Sequence, residues 1–585
     1  MQDVMDIVAS FDVGSTYSGY AYSTRTEYME SLLQIHLNDE WVSGHGNLHT
    51  YKTPSHLLLT ADRRLHSFGY EAERKYAQLM EAKAHDTWYF FRNLKKDLKN
   101  KYLRKDTMVE EEAGKSMSFS TILTMVYKYM RQHLLRTIDV AVKSASSESL
   151  AANIRVEYIL TVPTKWITVS RDMVIAAAKM AGLTHFRIIT ESEAVGRYCQ
   201  LHPLTMGKSG SIHVLKPGMR HVIVNIGGFG VDTTVQDAPE KEPVKEFSKS
   251  HGDANGGVRV DEEFMKLITK VFGADIMGIF MKKHKMDLID LQQEFEVRKR
   301  RFTLDAAYDT TDLYLPPSLL KIYVTKSKER LQDRIDDTDL VGKIIAKDDR
   351  LIIDKSIMKD LFGPTIKSII SYMSTLAKDP EVRQTDAIIL TGGFSQSSVL
   401  EGAVRFYFPT AKILIPPNAE LAVLLGAILI GHNPNPVVTI TAKYTYGFGI
   451  ALPFNKNRHP KEKMFISSGK EFCTDIFQTQ IRLGQRIELG SSANPHHLFP
   501  NRAKQTIMSI PVYASNKANP KFTTDQGVVY LGRLSVNLNK SYSDSKVRVQ
   551  MTLLASTLLV EGIDEAAGDV SQAVFATNLS RPRSY

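Results

Sequence analysis

The feature that most constrains this chain is a strand–turn–strand pattern that occurs twice. Residues 7–22 run Ile-Val-Ala-Ser-Phe-Asp-Val-Gly-Ser-Thr-Tyr-Ser-Gly-Tyr-Ala-Tyr, an apolar strand that enters Asp12-x-Gly14-Ser15-Thr16 and leaves as a second strand. Such a turn suits phosphate. Gly14 lets the backbone approach phosphate oxygens closely, the turn N–H groups and the hydroxyls of Ser15 and Thr16 donate to them, and Asp12 can hold accompanying magnesium, mostly through water. About 210 residues later the segment 221–236 repeats the pattern, with Asn225 in the place of Asp12, Gly227 and Gly228 in the turn, and Asp232 on the returning strand. The separation leaves room for one α/β lobe around each hairpin, and two facing turns would clamp a nucleotide triphosphate from both sides.

Two more segments extend this pocket. Ile388-Ile-Leu-Thr-Gly392-Gly393 followed by a Ser-rich helix start brings bare backbone to a base or a phosphate. On the predicted helix around Phe295, the residues Glu296, Lys299 and Arg300 fall at i, i+3 and i+4 and share a face, with Thr303 one turn on.

Taken in order, these segments resemble the actin-like ATPase domain of the 70-kilodalton heat-shock proteins, and in particular its divergent heat shock 70 kDa protein 12 group. Thr161-Val-Pro163-Thr-Lys-Trp166, Ala177 to Leu183, and Ile189-Thr-Glu191-Ser-Glu-Ala194 are similar to that group's strand, following helix and first connecting segment. Glu420 to Gly426 resembles the Asp-x-Ala-Val-x-x-Gly helix, with Glu420 in the Asp place, and Tyr444 to Ile450 and Glu471 to Phe477 carry the likeness towards the C-terminus. The resemblance implies an α/β, two-lobed actin-like ATPase domain built from duplicated RNase H-like lobes, over residues 1–435, with lobes of about 1–190 and 191–435. It further implies ATP or ADP with Mg2+ as ligands, Asp12, Glu191 and Asp232 as catalytic groups, Asp12 and Asp232 as metal-holding groups, and Glu296, Lys299, Arg300, Thr303, Gly392, Gly393 and Glu420 around the adenosine.

The departures from the family pattern concern hydrolysis. Asn225 stands for an aspartate, Phe229 for the third glycine and Gly230 for the threonine, while Asp232 is kept. An amide carries no charge for a divalent cation and cannot act as a general base. A positive φ at Phe229 would cost roughly 1–2 kcal/mol, unless Gly230 takes the special conformation. The family's catalytic lysine aligns with Glu73, leaving Arg74 or Lys75 as substitutes. These changes imply nucleotide binding with weak hydrolysis, a switch more than a cycling machine.

At 585 residues and 43% apolar the chain expects two or more folded domains. The longest apolar run, Leu421 to Gly431, is too short for a bilayer, and the N-terminus has no basic signal-peptide region. Two cysteines, Cys199 and Cys473, build no disulfide framework, which suits a reducing compartment and points to the cytoplasm, with the nucleus also open. His45, His49 and His56 are read as loop residues and not as a metal site. The net charge of +10 is densest at Lys95 to Lys105, read as a solvated helix face, and no aromatic motif accompanies it to suggest nucleic acid.

After Asn433-Pro-Asn-Pro436 the sequence changes to short β-rich runs, predicting a β-sandwich over 436–585, in the place where the heat-shock family carries its peptide-binding domain and without the helical lid of typical members. The expected partner of this domain is a polypeptide client or a dedicated protein. Two function classes follow: a chaperone-like, stress-response ATPase that couples client release to nucleotide state, and a catalytically inactive nucleotide-sensing scaffold.

Overall fold

The computed structural model describes residues 5–39, 41, 50–96, 98, 103–104, 106–145, 154–164, 166–206, 211–216, 218–237, 246–248, 256–305, 308–435, 439–467, 469–488, 490–500, 505–538 and 546–577. His45, His49, Asp253, Pro436 and most of the basic run after Lys96 lie outside the described residues.

Strand β1 (Met5–Val13) alternates between two cores. Ile7, Ala9, Phe11 and Val13 pack into an N-terminal cluster, while Val8 points to the opposite face. A strand covered on both sides reads as a continuous apolar run, as this one does. It pairs antiparallel with β2 (Tyr17–Thr24), which pairs with β3 (His36–Leu37) and, at Tyr17 and Ser18, with the short β4 (Thr53–Pro54). On its other side β1 runs parallel to β5 (Ile154–Val162), itself parallel to β6 (Phe186–Thr190).

A second, five-stranded sheet repeats this plan apart from β4. Its centre is β7 (Arg220–Ile226), antiparallel to β8 (Val231–Asp237), which pairs antiparallel with β9 (Glu246–Ser248). Across β7 lie the parallel strands β10 (Ala387–Thr391) and β11 (Ile413–Leu414). Val222, Val224 and Ile226 face one cluster and Ile223 faces another, the same alternation as in β1.

The cluster that takes Val8 and Ile159 from the first sheet also takes Ile223, Ile389 and Leu414 from the second. Between them lie helices α1 (Glu191–Leu201) and α2 (Ala422–His432). Every residue of α2 is buried, so the helix is apolar all round, as a helix enclosed by two sheets must be. The run Leu421 to Gly431 is therefore core. Among the described residues no helix is long and apolar enough to cross a membrane. Gly426 allows α2 to touch α1, since a Cβ there would lie 1.8 Å from the Ala194 carbonyl oxygen.

Beyond residue 438 the described residues are mainly strands. One five-stranded antiparallel sheet includes Thr445–Pro453, Lys470–Ile481, Ile507–Ser515 and Val528–Asn537, and a four-stranded one includes Val547–Leu553, Thr557–Asp564 and Val570–Ala576. Phe448, Val512 and Val536 from the first share one core with Val549, Met551 and Val560 from the second. The four-stranded sheet touches the rest of the chain where Leu559 packs with Val214 and at Gln572, whose side-chain amide donates to the Ile212 carbonyl and accepts from the Ile212 N–H, both at 2.6 Å.

Candidate functional site

Because β1 and β7 are the central strands of their sheets, the turns that follow them open at the same edge. Asp12 is near the last residue of β1 and sits opposite Gly19, as Asn225 sits opposite Asp232. The two turns meet: a Cβ on Gly228 would stand 2.2 Å from the Thr16 methyl group. Gly14 is required for another close approach, its Cβ position being 2.2 Å from the Tyr17 carbonyl oxygen. The second turn closes by a hydrogen bond from the Gly227 N–H to the Gly230 carbonyl at 3.0 Å, and neither Phe229 nor Gly230 takes a positive φ. The strain expected at Phe229 is therefore absent.

Helix α3 (Val258–Phe272) starts under this turn, with the N–H groups of Gly257 and Val258 donating to the Gly227 and Gly228 carbonyls at 3.1 and 3.0 Å. Gly392, at the end of β10, has a φ of 91°, and a side chain there would collide with Asn225 Oδ1 at 2.4 Å. Together the two turns, Gly392 and Gly393 wall a cleft of about 1240 Å3 including its solvent-open mouth.

The floor of the cleft is charged. Asp12 is buried, and both its oxygens are engaged: Lys52 Nζ donates to Oδ2 at 2.7 Å and Thr161 Oγ1 to Oδ1 at 3.0 Å. Burial alone would raise its pKa, but Lys52 and Lys95 bring it below the usual aspartate value. Glu191, the first residue of α1, accepts from Asn225 Nδ2 at 3.1 Å. Burial, with Asp12 and Asp232 nearby, pushes its carboxyl up to about 7, against the opposing pull of Lys95. Lys95 is 5% exposed and lies 4.6 Å above the Trp166 ring, and its burial lowers its pKa. All of these side chains except Thr161 line the cleft.

At the other end, helix α4 (Lys285–Arg301) supplies a charge network. Arg300 pairs with Glu296 at 2.7 Å and Glu420 at 3.6 Å and lies 5.6 Å from the Tyr17 ring. Lys299 bridges Glu296 at 2.5 Å and Asp261 at 2.6 Å. Burial opposes ionisation of Glu296, yet Lys299 and Arg300 hold its carboxyl down at about 2. Of this group Arg300 and Glu420 reach the cleft wall, while Glu296 holds Arg300 from behind and Lys299 ties Glu296 to Asp261.

No protein-family model matches the chain. Individual proteins do. It is 29% identical to heat shock 70 kDa protein 12A of Mus musculus, over 92% of this chain and 86% of that protein. It is 28% identical to heat shock 70 kDa protein 12B of Homo sapiens, over 92% of this chain and 84% of the relative, and 29% identical to human 12A over 91% and 85%. The chain is thus similar to the heat shock 70 kDa protein 12 group along most of its length.

The residues read from the sequence divide in two. Asp12, Gly14, Ser15 and Thr16, with Glu191 and Asp232, come together between the turns, beside Asn225, Gly227 and Gly228. Thr303, beyond the end of α4, does not line the cleft. Glu73 is also elsewhere, buried on helix Tyr70–Glu81 with Arg92 at 3.7 Å and His56 at 3.9 Å. Arg74 and Lys75 face a different depression, beside Tyr70 and Tyr129, and so cannot replace a lysine here.

Besides Arg300 the cleft holds the cations Lys52 and Lys95, which the sequence did not single out as site residues. Lys95 belongs to the basic run expected as a solvated helix face; the structure corrects this, because Leu94 to Lys96 form a turn and Lys95 is buried against Trp166. Charge density gave no sign of this, since a single inward lysine is indistinguishable in sequence from its exposed neighbours. Lys52 has no motif around it. It is placed by the pairing of Thr53 with Ser18, which only the folded sheet reveals.

Among the described residues no three His, Cys, Asp or Glu side chains converge as a metal-binding set. Magnesium bound directly to Asp12 would have to displace the Lys52 ammonium or share its oxygen, so the residues as arranged do not fit a directly coordinated ion there. The glycine-walled turns do fit an anion that touches backbone.

Proposed function

We propose that this protein is an ATP-binding, heat-shock-70-like nucleotide switch with weak hydrolysis and chaperone-like action. In this reading residues 1–435 form an actin-like ATPase domain of two duplicated RNase H-like lobes, and residues 436–585 form a partner-binding β domain. The observation that carries it is the cleft between two matching hairpins, each following the central strand of a sheet with the same strand order and sense. Ligands in open α/β sheets bind at the carboxyl ends of such strands.

Phosphates would lie against the turn backbones near Ser15, Thr16, Gly227 and Gly228, with Lys95 and Lys52 as counter-charges. The adenosine would lie between Arg300 and the Gly392-Gly393 turn. Lys95 fills the role first sought at residues 73–75. Hydrolysis needs a group that accepts a proton from water, and Asn225 offers none. Glu191 stands beside Asp12 and Asp232 as a base, and with its carboxyl near 7 it is only partly ionised at neutral pH, which supports slow turnover.

Calorimetric titration of the full chain with ATP and ADP tests this reading. Binding that is weakened about tenfold or more by Arg300→Ala, with single-turnover hydrolysis far slower than nucleotide exchange, is the expected result. Absence of binding by either nucleotide refutes it.

A further inference from the structure

Lys52 reaches Asp12 along a path made for it. Its backbone is fixed by the adjacent pairing of Thr53 with Ser18 and by the Thr50 hydroxyl, which donates to the Lys52 carbonyl. Its side chain then crosses the first hairpin over Gly19, the residue opposite Asp12, where a Cβ would come within 2.9 Å of Lys52 Cγ and 3.0 Å of the Tyr51 carbonyl oxygen. The ammonium ends 2.7 Å from Asp12 Oδ2, with the side chain 17% exposed.

This arrangement changes the charge problem that a polyphosphate poses. A divalent cation ordinarily does two things there: it neutralises phosphate oxygens and it needs several oxygen ligands in near-octahedral order. Here the Asp12 oxygens are taken by Lys52 and Thr161, Asn225 brings an amide to the second turn and leaves Asp232 as that hairpin's carboxylate, and two ammonium groups stand in the cleft against the two positive charges a dication would bring. A dication entering beside Lys52 would meet a like charge at contact distance.

Resting on the nucleotide-binding reading above, we infer that Lys52 and Lys95 stand in for the divalent cation, so that this cleft binds a nucleoside di- or triphosphate without magnesium. On ligand arrival Lys52 stays on Asp12 and presents its remaining N–H groups to a phosphate, while Lys95, backed by Trp166, offers the second.

The test compares ATP titrations of the full chain in magnesium and in excess EDTA, for the wild type and for Lys52→Gln. The expected result is wild-type affinity that agrees within about threefold between the two buffers, and a Lys52→Gln protein that binds at least about tenfold more weakly in EDTA and recovers with magnesium. The inference is overturned, with the nucleotide reading intact, if the wild type binds in magnesium and loses more than about tenfold in EDTA. Metal-independent binding by both proteins removes Lys52 from the assignment. No binding in either buffer overturns the nucleotide reading itself. The wild-type arm decides the metal question even if Lys52→Gln fails to fold, which its circular dichroism reports.

Discussion

Replacing Glu191 by glutamine should stabilise the protein at neutral and alkaline pH and leave it unchanged in acid. The carboxyl ordinarily titrates at 4.5 and in the folded cleft at about 7, because it is buried and has Asp12 and Asp232 for neighbours. A group whose folded pKa is raised holds its proton more tightly in the native state. Its contribution is therefore fully present below pH 4.5 and declines as pH rises through 7. At 1.36 kcal/mol per pH unit the ionised side chain costs about 3 kcal/mol above pH 7. Glutamine avoids this cost while its carbonyl oxygen still accepts from Asn225 Nδ2, the bond now made at 3.1 Å. If residues up to about 435 melt together, with about 2 cal/mol/K of unfolding entropy per residue, the gain is worth about 3 °C. The assay is the melting temperature of wild type and Glu191→Gln between pH 4.5 and 8.5. A difference that grows with pH to a few degrees is expected. A difference that is constant with pH, or a variant less stable at pH 8 than the wild type, would refute the account of Glu191 as a carboxyl confined among carboxylates.

Other substitutions test the packing around the cleft. Gly228→Ala places a methyl against Thr16 and should part the two turns, costing about 1–3 kcal/mol and most of the nucleotide affinity, read by thermal melting and calorimetry. Gly426→Ala, facing the Ala194 backbone, should cost about 3 kcal/mol with no direct contact to the cleft, so its effect should appear first as a lowered melting temperature. Lys299→Ala leaves Glu296 and Asp261 without their shared cation and is expected to destabilise by about 3 kcal/mol, the loss falling as pH drops and Asp261, pushed up to about 6 chiefly by burial, becomes protonated.

Much of the architecture was legible because its signals are local. An apolar strand entering a glycine turn depends on neighbouring residues, so β1 to β2 and β7 to β8 could be read directly, as could helix α4 from the spacing of Glu296, Lys299 and Arg300. The glycine positions were legible for the same reason. At Phe229 the condition for a cost is not met, since the turn closes through Gly227 and Gly230 without any left-handed residue.

The charges in the cleft were decided by tertiary structure alone. Lys52 is 40 residues from Asp12 in sequence and Lys95 lies in an ordinary basic run, so neither spacing nor composition marks them. They converge because β4 pairs with the first hairpin and because the turn at Leu94 to Lys96 packs on Trp166, both long-range events. Glu73, Arg74 and Lys75 were sought in the cleft by position along the chain, and the helix that carries them turns Glu73 to Arg92 and the other two to a separate surface. The sequence alone determines which segments become strands, turns and helices, since hydrophobic period and glycine sterics act over a few residues. Which cations meet which carboxylates depends on contacts between distant strands, and only the folded sheets bring those groups within reach of one another.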